Sequence, residues 1–474
     1  MTDGDPGCWD DENQDAAGAP TTRYTMTDKG NAEMIVSRFG ADLCWCGTMS
    51  GGGWMSWTGT RWEPDSTRET TRDALQIGQM WRATAPSAPP AGSESPEDVA
   101  KLKRRQAILR HADRSESSAS IRGMLDLAGP MLSVRREQFD RDDMLFTTPT
   151  RTYDFSKWAQ KKPEPGDYIT RAAAVDAGGD CPLWLEFLDT IMGGDQEMVA
   201  FLRRAVGYCL TGLISENCVF IAHGSGANGK STFMDTISYL MGDYATTTSV
   251  ETFMSRKPGA IPNDLAALAG ARLVSCSETP EGGALDEGRI KEISGGDMIS
   301  ARFLHSEFFT FKPKFKLWIL TNHKPVIRGT DNGIWRRIRL VPFEVTIPME
   351  KRDKDLSTKL RAEAPGILAW ALSGLREWRE GGGLRPPQRV EEATDAYKGE
   401  MDILGDFIQE MCLTGEMHRV SNGMLYGSYS QWAKDNGLAA KSHKWFSRAL
   451  MDRGLKQSDS RKDGGRMWAG ITLR

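Results

Sequence analysis

The chain has little that marks a secreted or membrane protein. No apolar run in its 474 residues approaches the roughly 18–20 needed to cross a bilayer. The N-terminus is acidic and polar and lacks the apolar stretch of a secretory signal, which leaves the cytoplasm as the expected compartment. The eight cysteines include only one close pair, Cys44 and Cys46. No second pair completes a zinc site, so they are expected to be core thiols of a reducing compartment. The net charge of −4 lacks the positive excess of a protein that coats nucleic acid. Any such contact has to come from local basic patches or from a channel formed on assembly. At 39% hydrophobic and 26% charged residues the chain can build real cores, and its length suits about three domains.

The most informative stretch is Gly224-Ser225-Gly226-Ala227-Asn228-Gly229-Lys230-Ser231-Thr232, which fits G-x-x-x-x-G-K-[ST]. The apolar run 219–222 before it reads as a buried strand, and 233–241 after it reads as a helix. Strand, glycine loop and helix together distinguish a phosphate cradle from a flexible turn. The glycines let backbone N–H groups curl around an anion, and the helix N-terminus adds positive potential. In that reading Lys230 reaches the β- and γ-phosphates of ATP and the Ser231 hydroxyl ligates Mg²⁺.

Downstream, two more apolar strands end in polar groups. The run 272–277 leads to Glu278, a candidate to support Mg²⁺, polarise the attacking water and accept its proton. Ser277 stands where many ATPases carry Asp. The run 316–321 leads to Asn322, whose amide can hydrogen-bond a γ-phosphate or the attacking water. Arg336 and Arg337 then follow a glycine-containing turn. One of them suits delivery of a guanidinium to a neighbouring subunit's γ-phosphate, and a salt-bridged surface strand explains them equally well.

Outside this core, residues 1–24 lack a hydrophobic pattern and are expected to be disordered. Helical patterns begin at Thr27 or Asp28 and recur at 99–111 and 120–128, with a Pro- and Ser-rich linker over 85–97. Trp54, Trp57 and Trp62 belong to an expected hairpin turning near Thr58-Gly59. Their indoles can stack on bases, but holding a small domain together is the favoured reading. Lys101, Lys103, Arg104, Arg105 and Arg110 make the helix at 99–111 basic, most simply as a solvated face. After Pro386-Pro387, helical patterns at 424–436 and 442–453 precede a glycine-rich hairpin, which suggests a winged-helix module touching DNA or a protein. Lys441, Lys444, Lys456, Arg461, Lys462 and Arg466 give that region positive charge.

In their order, the glycine loop, Ser277-Glu278, Lys291-Glu292-Ile293-Ser294-Gly295-Gly296-Asp297 followed by Ala301-Arg302, then Asn322 and Trp335-Arg336-Arg337 resemble the superfamily 3 helicases. The resemblance is to the phage and plasmid primase–helicase branch that includes the poxvirus primase–helicases. It spans roughly residues 25–474. It implies an α/β, AAA+-like ATPase core at 196–390, a mainly helical domain at 25–195 and a winged-helix-like domain at 391–474. It further implies a homo-oligomeric ring, usually a hexamer, with ATP and Mg²⁺ between subunits and single-stranded or forked DNA in the channel. Lys230, Ser231, Glu278 and Asn322 would come from one subunit and Arg336 or Arg337 from the next. A hairpin within 302–314 would grip the strand, with Arg302, His305 and Lys312 as candidate contacts. No primase domain or paired metal acids are evident, so the expectation is a helicase for a phage, prophage or mobile element in a bacterial host. It would move 3′ to 5′ and work with a separate primase. A small-molecule kinase would account for the glycine loop alone, and a degenerate origin-binding protein for Ser277 and the terminal domain.

Overall fold

The computed structural model describes residues 24–47, 53–255, 263–279, 282–302, 308–329, 332–436, 438, 440–459 and 466–474. Residues 1–23 of the tail expected at 1–24, and His305, Arg461 and Lys462, lie outside them, while Tyr24 packs against the core of the first unit. Contacts divide the chain into two units, one running up to Arg141 with Pro163–Thr170, the other comprising Asp142–Lys162 and Arg171–Arg474. Among the described residues no helix is long and apolar enough to cross a membrane.

The first unit is four helices and a small sheet. α1 (Asp28–Phe39) starts where Thr27 accepts the Gly30 N–H at 3.2 Å, an N-cap that satisfies an otherwise orphaned donor. β1 (Leu43–Trp45), β2 (Trp54–Trp57) and β3 (Trp62–Pro64) form an antiparallel sheet. α2 (Glu69–Thr84), α3 (Pro96–Ser115) and α4 (Ser118–Met131) follow, α3 and α4 capped by Ser95 and Ser117. The linker is therefore shorter than its composition implies, because Pro96 is pre-set for the first helical turn. A buried polar network ties three helices together. Trp81 and His111 both donate to the Asn31 carbonyl oxygen, at 2.7 and 3.0 Å, and the Asn31 amide donates to Ser115 at 2.9 Å. Burial, with Arg114 nearby, pushes the His111 pKa below its ordinary value. Trp62 is 3% exposed, donates to the Pro165 carbonyl at 2.9 Å and stacks on Tyr168. Its indole therefore holds this unit together.

The second unit opens with β4 (Leu145–Thr147), β5 (Thr152–Asp154) and β6 (Ala159–Lys161), an antiparallel meander. α5 (Pro182–Met192) and α6 (Gln196–Cys209) lead into β7 (Val219–His223) and α7 (Lys230–Met241). β8 (Ala245–Thr247), β9 (Leu273–Ser277), α8 (Glu287–Gly295), β10 (Ile299–Ala301), β11 (Phe309–Phe311), β12 (Lys316–Thr321), α9 (Asn332–Trp335) and β13 (Ile338–Pro342) complete the core. Five strands make one parallel sheet in the order β13-β7-β12-β9-β8. Its central strands are apolar throughout because both faces are covered. Phe220, Trp318 and Val341 enter one core, while Ile221, Leu317 and Leu340 enter the other, following the two-residue period of a strand. At the sheet's far end the buried Lys316 ammonium donates to the Thr211 and Leu213 carbonyls at 2.5 and 3.1 Å. The buried Arg272 guanidinium donates to Leu210, so two cations satisfy carbonyls at the C-terminus of α6.

α10 (Leu356–Ala362) and α11 (Ala364–Glu380) pack on α7, and α12 (Gln388–Glu400) covers the β13 edge, where Thr394 accepts the Leu340 N–H at 3.1 Å. α13 (Ile403–Met411), β14 (Cys412–Ser421), α14 (Asn422–Asp435), α15 (His443–Asp452), β15 (Lys456–Asp459) and β16 (Arg466–Leu473) close the chain around a separate core. The terminal sheet has three strands, in the order β14-β16-β15, where the sequence suggested a two-stranded hairpin.

Candidate functional site

The parallel sheet sends the ends of β7, β9 and β12 to one edge, and the glycine loop, Glu278 and Asn322 follow these three neighbouring strands. From β7 the chain crosses to the sheet's far edge at β8. The later strands of this sheet, β9, β12 and β13, are laid down back toward β7 and past it. The loop after β7 thus stands at the reversal of strand order, where open α/β sheets place ligand crevices.

The loop's shape depends on its glycines. A Cβ on Gly224 would lie 2.0 Å from the Asn228 amide and 2.1 Å from the Phe343 carbonyl oxygen. Gly229 has φ +80° and would drive a Cβ to 2.5 Å from Ile191. Gly226 at φ +104° and Ala227 at φ +52° complete a left-handed path through exposed Ser225. Gly229 caps α7 without any side-chain acceptor, so the first N–H groups of the helix are free to meet an anion. Ser231 is exposed and Thr232 half-buried on that first turn.

Lys230 is 7% exposed, and its ammonium donates to the Gly224 carbonyl at 2.8 Å, Asn228 Oδ1 at 2.9 Å and Asn322 Oδ1 at 3.1 Å. All three acceptors are neutral. Burial lowers the Lys230 pKa, with no carboxylate to oppose it. A buried cation held only by neutral oxygens fits an anionic ligand, whose charge would offset the desolvation. The Asn228 amide in turn donates to the Phe343 carbonyl at 2.8 Å, and Ile347 N–H donates to the Ala227 carbonyl at 2.9 Å. The segment after β13 therefore braces the loop, a contact without side-chain signature at Phe343.

Glu278 lies one residue beyond β9, exposed, with φ +64°. Left-handed backbone is uncommon for a non-glycine residue and concentrates at functional sites. Its N–H donates to the Leu320 carbonyl at 3.0 Å, which ties the β9 tip to β12. Two buried hydroxyls reinforce the tie. Thr279 and Thr321 stand against each other, each within hydrogen-bond distance of the His323 carbonyl at 2.8 and 2.6 Å, and their single protons can satisfy two of these three contacts at a time. Sequence reasoning passed over both threonines, and their only signal is adjacency to Glu278 and Asn322. It also passed over His223 at the tip of β7, half-buried and with its pKa lowered by burial and by Lys324 and Lys230. Among the described residues no three His, Cys, Asp or Glu side chains gather as a metal cluster. Ser231 and Glu278 are exposed at this edge and carry oxygens able to ligate a metal.

The two arginines separate. Arg337 is half-buried and internally bonded, its guanidinium donating to Ser294 Oγ at 3.1 Å and the Gly333 carbonyl at 2.6 Å. Arg336 is exposed, and its guanidinium makes no hydrogen bond or ion pair among the described residues.

The expected hairpin begins earlier than 302. β10 pairs with β11 from Ile299↔Phe311 to Ala301↔Phe309, because the residues flanking Arg302 already alternate buried and exposed. Gly296 terminates α8 with φ +81°, where a Cβ would lie 2.6 Å from Ile214, so the second glycine of the Gly-Gly-Asp segment has a packing reason. Arg302 lies 4.9 Å from the Phe308 ring centroid, and Lys312 is exposed at the foot of the hairpin.

Residues 32–193 match the family model described as "D5 N terminal like", and 222–337 match "Family of unknown function (DUF5906)". "Putative helicase L207/L206" of Acanthamoeba polyphaga mimivirus is 30% identical over 263 residues, 51% of this chain and 27% of that protein. "Putative helicase 022R" of Frog virus 3 is 29% identical over 282 residues, 55% of this chain and 29% of that one. "Putative primase C962R" of African swine fever virus (strain Badajoz 1971 Vero-adapted) is 28% identical over 252 residues, covering 48% and 26%. The chain thus spans under a third of the length of these relatives. Among solved structures, the NrS-1 C-terminal region in its A-form apo state aligns with 68% of this chain and 83% of its own, at 10% identity and a TM-score of 0.41. Over about half its length the chain is thus similar to proteins of large DNA viruses named putative helicase or putative primase, the direction its motif order resembled.

Proposed function

We propose that this chain is an ATP-driven DNA helicase of the superfamily 3 type, assembling as a ring, usually a hexamer, around single-stranded DNA at a fork. The observation that supports it most is the Lys230 ammonium spanning the glycine loop and Asn322 at the next strand's tip. A phosphate arriving at α7 would draw Lys230 from three neutral oxygens toward charge, and so release the Asn322 amide to face the ligand. Bound Mg²⁺–ATP would supply the phosphoanhydride bond and the metal's charge neutralisation. Ser231 would hold the metal, and Glu278 would hold it through water and take the proton of the attacking water. Arg336, exposed and unpaired among the described residues, is the better candidate to reach a neighbour's site, while Arg337 braces its own subunit. In this reading 196–390 is the AAA+-like core, 25–195 the accompanying helical domain, and 391–474 a winged-helix-like module.

The element served would be a phage, prophage or related mobile element, possession of a separate primase being part of the same proposal. The relatives above come from viruses of eukaryotes and lend no weight to a bacterial host. Glu278→Gln is expected to abolish DNA-stimulated ATP hydrolysis while nucleotide still binds. Unchanged turnover would reject the assignment.

A further inference from the structure

An open cleft of about 480 Å³ lies between the β5–β6 hairpin and the C-terminal half of α11. None of its lining residues belongs to the strand ends that carry Lys230, Glu278 and Asn322. Trp158 stands at its mouth, 40% exposed, in the last position of the turn 155–158 with φ +53°. Glycine or asparagine occupies such a left-handed turn position without penalty, and a bulky aromatic there is an outlier. The ring lies against Phe155, with centroids 6.3 Å apart, and two fifths of the residue stays exposed.

The surroundings carry both signs, with Arg376 set beside Asp154, Glu377 and Glu380 in the lining. The Arg376 and Arg379 guanidinium carbons lie 5.1 and 5.7 Å from the Trp158 ring centroid. Arg379 also donates to the Phe155 carbonyl. Arg376 is exposed and makes no hydrogen bond or ion pair among the described residues. Lys157, Lys161 and Lys162 are exposed along the same hairpin. The nearby acids are mostly engaged. Asp154 pairs with Lys157 at 3.1 Å and accepts the Ser156 N–H at 2.9 Å, and Glu377 pairs with Arg203 at 2.8 Å. Glu380 remains at the rim.

A partly exposed indole flanked by two guanidinium groups matches a ligand that carries both flat π-faces and phosphates. We propose that the Trp158 cleft is a second binding site for single-stranded DNA, stacking a base on Trp158 and holding its phosphate at Arg376. The proposal rests on the reading of the chain as a helicase, and it adds a strand contact outside the Arg302–Lys312 hairpin.

The test is fluorescence anisotropy of a labelled oligothymidine with the full chain across a salt series, alongside ATP turnover with and without DNA. Trp158→Ala is expected to weaken binding about tenfold, with Trp158→Phe restoring most of it. Arg376→Ala, on an exposed helix face, is expected to lower the slope of log affinity against log salt by about 0.7, one phosphate's worth on a single strand. It also keeps the test valid if Trp158→Ala misfolds. DNA-free turnover should be unchanged in each. A parent chain that binds DNA and is stimulated by it, with variants of equal affinity and slope, would overturn the cleft assignment alone. Loss of binding to an acidic peptide in those same variants would then mark the cleft as a protein contact. A parent chain that binds no DNA would overturn the cleft and the helicase reading together.

Discussion

Replacing Asn322 by Asp should have opposite effects on the ligand-free protein and on nucleotide binding. Asn322 Oδ1 sits 3.1 Å from the Lys230 ammonium, which otherwise meets only the neutral Gly224 and Asn228 oxygens. A carboxylate in its place gives the buried cation an ionic partner. Asn322 is itself exposed, so solvent screening limits the gain to about 1 kcal/mol. For a unit of this size that is a rise of roughly 1–2 °C in Tm. The same carboxylate would face an incoming triphosphate. Two charges about 5 Å apart at an effective dielectric near 20 repel by about 3 kcal/mol, and screening leaves about half of that, or about tenfold in affinity. Asn322→Ala removes only a neutral hydrogen bond, so it should bind nucleotide within a fewfold of the parent and lose turnover. Calorimetric melting and titration with a fluorescent ATP analogue read both effects. An Asn322→Asp protein that melts lower, or that binds the analogue as tightly as the parent, would refute the reasoning.

Arg337→Ala should destabilise the second unit by about 1–3 kcal/mol by leaving Ser294 and the Gly333 carbonyl without their donor, whereas Arg336→Ala should leave Tm unchanged and cut turnover about 10³-fold. Because His111 is held below its ordinary pKa, the unfolded chain binds more protons as pH falls past about 6.5. The first unit should therefore lose stability there, and His111→Gln should flatten that pH dependence in thermal melts. Burial lowers the Lys316 pKa to about 7, so between about 7 and the ordinary lysine value the unfolded chain again holds the extra proton. Stability of the second unit should rise with pH across that window, and Lys316→Met should remove the slope.

How legible each feature was depended on how far its physics is local. A strand buried on both faces writes a continuous apolar run, so β7, β9 and β12 could be read directly, and Thr27 marked the start of α1, whereas α3 and α4, capped by Ser95 and Ser117, begin ahead of the patterns read at 99–111 and 120–128. α2 escaped notice because Ala74, Ile77 and Trp81 are diluted by polar residues on the exposed face. β4, β5 and β6 have three residues each, too few to show alternation, and β14 is largely exposed, so it lacks an apolar face. The candidate site was legible as side chains at strand ends. Its bracing was not: Phe343 contributes a backbone carbonyl, and Thr279 meets Thr321 across 42 residues. The two arginines look alike in sequence and differ only because Ser294, on α8, captures one of them.

The central claim is that one subunit's Lys230 and the next subunit's Arg336 act on the same nucleotide. Mixing Lys230→Ala and Arg336→Ala chains, each inactive alone, and measuring DNA-stimulated ATP hydrolysis tests it most directly. Mixed interfaces pairing an intact Lys230 with an intact Arg336 should restore a fraction of parental turnover. Particles shown to contain both chains yet hydrolysing no ATP would contradict the account.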